Sequence, residues 1–200
     1  EEIKTTEKFE AHILPNYTDN FVQTFLYHLS KEINFITDQS QPLFVRFQGF
    51  SETDFNSEKH PVFILETTDK GKLTSIIQSE NSKNSGTNMT ATKILINIYG
   101  IAYAFLYLII QKVTNLNLTI DDIYETSYFY PKINILTISK LKSIDKYQND
   151  SSDFVLSYAM IVYSILTGKN PFKNDELRSE FIEKVKSNSF TIEQPEFKTY

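Results

Sequence analysis

Residues 91–108 read ATKILINIYGIAYAFLYL, and this apolar stretch decides how the chain folds. From residue 94 to residue 111 there is no charged side chain over 18 positions, and a lysine stands at each end. Such a run is typical of a long helix in a protein core, and its length also reaches the threshold for a membrane span. A second all-round apolar helix is predicted over residues 154–166, with Gly168 placed to end it.

The first part of the chain combines one helix with strands. Residues 19–38 carry apolar side chains at three- and four-residue steps, which predicts an amphipathic helix. Glu32 lies on the same apolar stripe, so we expect this carboxylate to have an internal partner. Residues 44–48 and 62–66 are strand-like and predict a hairpin with a long polar loop.

The later segments alternate between polar connectors and short elements. Residues 79–90 are a polar connector, and residues 118–124 and 132–138 predict short β-like segments. A short amphipathic helix is predicted over residues 174–187. The predicted order begins with strands and one helix and continues mostly with helices. This order indicates the α+β class with two unequal lobes.

Composition excludes several kinds of site. The five glycines of this 200-residue chain are too far apart for a glycine-rich phosphate loop, and the absence of cysteine removes disulfides and thiol nucleophiles. A net charge of -5 without a basic block argues against a nucleic-acid partner. Residues 1–10 are charged and lack an apolar run, so with no cysteine we expect a cytoplasmic protein.

Five stretches of the sequence follow one another in an order that indicates a resemblance to a known family. They are QPLFVRFQGFSETDF (41–55), PVFILETTDKGKL (61–73), ATKILINIYGIAYAFLYL (91–108), YPKINILTISK (130–140) and LSYAMIVYSILTGKNPF (156–172). In this order they resemble the fourth strand, the fifth strand with its hinge, the long buried helix, the metal-binding segment and the second core helix of a protein kinase domain. The resemblance is to the tyrosine-kinase-like group.

The resemblance implies a kinase-like fold of two lobes that is incomplete at both ends. Residues 1–66 would form a truncated, β-rich small lobe, and residues 67–200 a mainly helical large lobe. No room is left for the first two strands and the glycine-rich loop, so the chain resembles a fragment of a longer protein. The two apolar helices become central helices of the large lobe, which argues against a membrane span.

The resemblance also implies a degenerate catalytic site. The catalytic base falls on Asn117, whose amide cannot accept a proton as a carboxylate does. Thr119 stands where the family has a lysine, and Ile135 replaces the aspartate of D-F-G and offers no oxygen to a cation. Asp122 replaces a metal-binding asparagine and could still hold Mg²⁺, although the pair Asp121–Asp122 is more typical of a turn or cap.

The nucleotide-binding positions are altered as well. His12 stands in place of the strand lysine and matches Glu32 as its partner, and the two could form a structural ion pair when the imidazole is protonated. Glu10 takes the place of a small alanine above the adenine. Tyr124 falls on the floor of the adenine site, where a bulky ring would obstruct a purine.

We therefore predict a pseudokinase-like domain that acts as a protein-interaction or scaffolding module in signalling, without phosphoryl transfer and without a cofactor. The alternative is a divergent Ser/Thr or Tyr kinase that keeps ATP and Mg²⁺ binding through Glu32, Asp122 and the hinge at Leu65, Glu66 and Thr67. A third alternative is a membrane protein that spans at residues 94–111. The identity of a protein partner does not follow from the sequence.

Overall fold

The computed structural model describes residues 8–14, 22–23, 26–27, 34–37, 42–81, 89–113, 118–136, 152–169 and 180. The predicted helix at 174–187 lies almost entirely outside them. The predicted helix at 19–38 is covered in part: residues 22–23 and 26–27 are helical and Asn34–Thr37 form a 3₁₀ turn. Glu32 and Asn117 lie outside the described residues.

The first sheet has three antiparallel strands among the described residues. They are β1 (Phe9–Ile13), β2 (Phe47–Ser51) and β3 (Val62–Glu66), in the spatial order β1-β3-β2. The predicted hairpin is thus confirmed, although its first strand begins at Phe47 and contains a bulge before Gly49.

A second sheet forms further along the chain. Its strands are β4 (Gly71–Lys72), β5 (Ile123–Glu125) and β6 (Pro131–Ile133), antiparallel and in the order β4-β5-β6. The β-like segments predicted at 118–124 and 132–138 are therefore strands only in part.

One chain segment connects the two sheets. Val45 N–H donates to Ile133 O at 2.9 Å, and Ile133 N–H donates to Leu43 O at 2.9 Å. Phe44, whose side chain is buried, thereby makes a parallel bridge to β6 before the chain enters β2. This explains why residues 44 and 45 do not pair in the first sheet as the sequence predicts.

Three α-helices of nine residues or more are formed among the described residues. They are α1 (Leu73–Asn81), α2 (Ala91–Ile110) and α3 (Ser152–Thr167). The helices predicted at 91–108 and 154–166 are confirmed. Helix α1 was not predicted, because its nine residues give too short an apolar pattern.

The ends of the two long helices follow their sequences. The Thr90 side chain accepts a hydrogen bond from Lys93 N–H and caps the start of α2. Gly168 ends α3 as predicted, with a left-handed φ of +68° that glycine adopts at little cost. The helices pack through Phe105 and Phe154, whose rings meet edge to face at 5.3 Å.

Helix α2 has a buried and an exposed side. Its buried side faces a core that also contains residues of both sheets and of α3. Its other side carries exposed apolar residues: Leu95, Tyr99, Tyr103, Leu106 and Ile110. Of the described residues, only this helix is long and apolar enough to cross a membrane, with 33% of the apolar window buried. Core helices of soluble proteins meet the same criterion, so this is weak support for a span.

Antiparallel sheets and separate helices are consistent with the predicted α+β class.

Candidate functional site at the junction of the sheets

Glu66 stands where the two sheets meet. It is the last residue of β3, and its Oε1 accepts a hydrogen bond from Arg46 N–H at 2.9 Å. The same oxygen forms an ion pair with the ammonium group of Lys132 in β6. The side chains of Glu66 and Lys132 are 17% and 18% exposed. The predicted hinge residue is therefore tied to the second sheet through its side chain.

Tyr124 of β5 is buried near several polar groups. The buried side chain of Asn134 lies near its hydroxyl. Burial raises the pKa of the Tyr124 hydroxyl above its usual value of 10, and the negative charges of Glu10 and Asp122 raise it further. The Tyr124 hydroxyl is therefore a neutral phenol at neutral pH.

The side chain of Asp122 stabilises a turn. Its Oδ2 accepts hydrogen bonds from Thr119 N–H at 2.7 Å and from Thr119 Oγ1 at 2.8 Å. These bonds close the 3₁₀ turn Ile120–Asp122, which replaces the start of the predicted strand at 118–124. The neighbouring Asp121 accepts a hydrogen bond from Thr74 Oγ1 at 2.7 Å. The acidic pair therefore forms a capped turn, in agreement with the sequence prediction.

The segment after β6 buries the apolar side chain that stands where the kinase resemblance has a metal-binding aspartate. Ile135 is 1% exposed and belongs to the core. Asn134 before it is also buried, and its Oδ1 accepts a hydrogen bond from Leu136 N–H at 2.9 Å. Ile135 has no side-chain oxygen and Asp122 Oδ2 already accepts two hydrogen bonds from Thr119, so these residues do not fit the Mg²⁺ that the kinase resemblance implies.

The other predicted nucleotide contacts lie along β1 and β3. His12 Nε2 lies 3.1 Å from Glu10 Oε1, without the geometry of a hydrogen bond. Leu65 pairs with Glu10 in the sheet and its side chain is buried in the core. Thr67 is exposed, and its hydroxyl donates to Lys8 O at 3.1 Å. Whether His12 pairs with Glu32 stays a prediction.

Sequence reasoning missed a buried polar contact between α2 and β5. Asn97 of α2 is 0% exposed and Glu125 of β5 is 2% exposed. Asn97 Nδ2 donates to Glu125 Oε1 and to Lys93 O, both at 3.0 Å. The signal was an asparagine inside an apolar helix, since a polar side chain there needs a partner.

Lys132 was also missed as a site residue. Its partner Glu66 is 66 positions away in the sequence, so no local spacing joins them. The kinase resemblance matched Lys132 as an ordinary part of its strand, which gave no reason to single it out. Only the meeting of the two sheets reveals the pair.

A titratable cluster lies in the loop between β2 and β3. Asp54 Oδ1 accepts hydrogen bonds from Asn56 N–H at 2.8 Å and Glu58 N–H at 3.0 Å. Asp54 Oδ2 lies 3.0 Å from His60 Nδ1, and Glu58 Oε2 lies 3.6 Å from the same nitrogen. The hydrogen bond from His60 is the largest of the effects that lower the pKa of the Asp54 carboxyl. Hydrogen bonds within the loop account for this arrangement.

Comparison with known proteins gives no identification. No family model matches the chain, and no curated protein matches it either.

Proposed function

We propose that this chain is a pseudokinase-like domain that works through protein contacts in signalling and does not transfer phosphoryl groups. The order of its elements supports the fold part of the proposal. The segments that resemble the fourth and fifth kinase strands pair as β2 and β3, and the two stretches that resemble the central helices form α2 and α3.

The observation that carries the functional part is the burial of Ile135 in the core. In the kinase resemblance this position supplies the carboxylate that holds the metal, and the metal neutralises charge on the transferred phosphate. Asp122, the other position of that metal site, has an oxygen committed to Thr119. A hard cation would compete with Thr119 for Asp122 Oδ2 and would gain no side-chain ligand from Ile135.

The adenine side of the site supports the same conclusion. In the kinase resemblance Tyr124 falls on the floor of the adenine site, where its ring would obstruct a purine. Glu10 places a carboxylate where the resemblance has a small alanine. A fold can keep its core while losing its chemistry, because core packing and site residues are separate demands.

A thermal-shift series with ATP and either Mg²⁺ or Mn²⁺ tests the absence of nucleotide binding. A ligand that binds the folded state must raise its apparent stability by mass action, and we expect no shift. Asp122→Asn restores the residue of the family, and Asp121→Asn is its matched control one position earlier. A metal-dependent shift that Asp122→Asn strengthens and Asp121→Asn does not would contradict the proposal and support the divergent kinase.

The interaction part needs a separate measurement. Proteins that copurify with the wild-type chain should copurify equally with Asp122→Asn. They should be lost with Ile101→Asp, which puts a charge into the core of α2. If no protein is enriched over this disrupted variant, the chain does not act through a folded interaction surface.

A further inference from the structure

The backbone at Arg46 lies where one segment leaves the second sheet and enters the first. Val45 N–H still donates to Ile133 O in the second sheet, whereas Glu66 N–H donates to Arg46 O in the first, both at 2.9 Å. Arg46 N–H therefore falls between the two ladders, where a donor needs another acceptor. Glu66 Oε1 provides it at 2.9 Å.

The same oxygen, Glu66 Oε1, also pairs with a charged side chain of the second sheet. Lys132 stands next to Ile133 in β6, and its ammonium group pairs with Glu66 Oε1. The crossover at Arg46, the end of β3 and the strand β6 consequently meet at a single carboxylate oxygen. More than four-fifths of each charged side chain is buried, so solvent and salt screen this pair less than an exposed one.

We infer that Glu66 and Lys132 form a clamp that fixes the orientation of the two sheets, and that breaking it lets the sheets move without unfolding either. The clamp does not depend on the proposed function, because it would restrain the sheets whether or not a nucleotide binds. An exposed ion pair contributes little to the free energy of folding. This pair differs because its carboxylate also satisfies the crossover N–H of Arg46.

The absence of cysteine allows a distance between labelled positions on the two sheets to be measured directly. Thr53, in the loop of the first sheet, and Ser127, in the turn between β5 and β6, are both exposed. Spin labels on Thr53→Cys and Ser127→Cys report the distance between the sheets by pulsed electron paramagnetic resonance. We expect one narrow distribution for the otherwise wild-type chain and a broadened one for Lys132→Met.

The matched control is Lys72→Met, which removes an exposed lysine from β4 of the same sheet. It should leave the distribution narrow. Hydrogen exchange gives a second readout, because the amides of Arg46 and Ile133 lie at the junction. In Lys132→Met they should exchange about tenfold faster, as expected when a charged hydrogen bond is lost, while amides in the middle of α2 keep their protection.

Glu66→Gln keeps an acceptor for Arg46 N–H but removes the negative charge, so it isolates the contribution of the ion pair. If Lys132→Met does not fold, Glu66→Gln alone tests whether the ion pair restrains the two sheets. A folded Glu66→Gln protein with a broadened distribution supports the clamp. An unchanged distribution in Glu66→Gln overturns it, and so does an acceleration of exchange that is equal in α2 and at the junction.

Discussion

Gly100 of α2 lies directly against Pro131 of β6. A Cβ atom placed on Gly100 would approach Pro131 Cγ to 2.6 Å and Pro131 Cδ to 2.8 Å, closer than side-chain carbons come in proteins. The helix can pack this near to the second sheet only because position 100 has no side chain. The proline ring is rigid, so it cannot make room by changing rotamer.

Gly100→Ala should destabilise the protein. Alanine favours a helix over glycine by about 1 kcal/mol, but overpacking against a rigid neighbour costs about 1–3 kcal/mol, so we expect a net loss of about 1 kcal/mol. Urea unfolding measures the difference. The control is Gly49→Ala, since no atom lies within 4 Å of a Cβ at that position. A Gly100→Ala protein as stable as the wild type would show that α2 can shift away from β6.

Asn97→Leu should lower stability more strongly. The change leaves Glu125 buried without the amide donor that lies 3.0 Å from its Oε1. Loss of a partner from a buried charged group costs about 2–3 kcal/mol, which chemical unfolding can resolve. Glu125→Gln is the comparison, because its amide oxygen can still accept from Asn97, and it should cost less. Equal losses for both variants would argue that the hydrogen bond is not the main contribution.

Asp54 should make stability depend on acid pH. Its pKa is lowered from 3.8 in the folded protein, mainly by the hydrogen bond from His60. A lowered pKa contributes stability that is fully present above the unfolded value and is lost as the pH falls through the folded value. Unfolding free energies measured from about pH 7 to pH 2 should therefore fall less steeply for Asp54→Asn. Glu52→Gln, an exposed change in the same loop, should keep the wild-type slope; an Asp54→Asn protein that also keeps it would contradict this role.

The buried Tyr124 hydroxyl should titrate above the usual tyrosine pKa of 10. Burial raises its pKa above 10, and Glu10 adds to the effect. A raised pKa contributes stability that is fully present below the unfolded value and is lost as the pH rises through the folded value. Nuclear magnetic resonance of ring-labelled tyrosine, with Tyr124→Phe for assignment, should show this late titration. Glu10→Gln should bring it to lower pH, and no change on that substitution would mean that Glu10 does not act on the hydroxyl.

The sequence alone determined the two long helices. The uncharged run at 94–111 and the run at 154–166 each form a helix, because both are longer than typical strands and a helix satisfies the backbone of a buried segment within that segment. Gly168 ended the second helix as expected, and the strand at 62–66 lies where the sequence predicted it, whereas the strand predicted at 44–48 is found at 47–51. These features depend on neighbouring residues, which a sequence displays directly.

The tertiary structure decided what lies between these elements. The sequence placed residues 44 and 45 in the first sheet, but their backbone pairs with Ile133 in the second. It also could not join Glu66 to Lys132, since the pair exists only after the two sheets meet. Hydrophobic pattern specifies which side chains are buried, whereas contacts between distant segments depend on how the buried faces pack together.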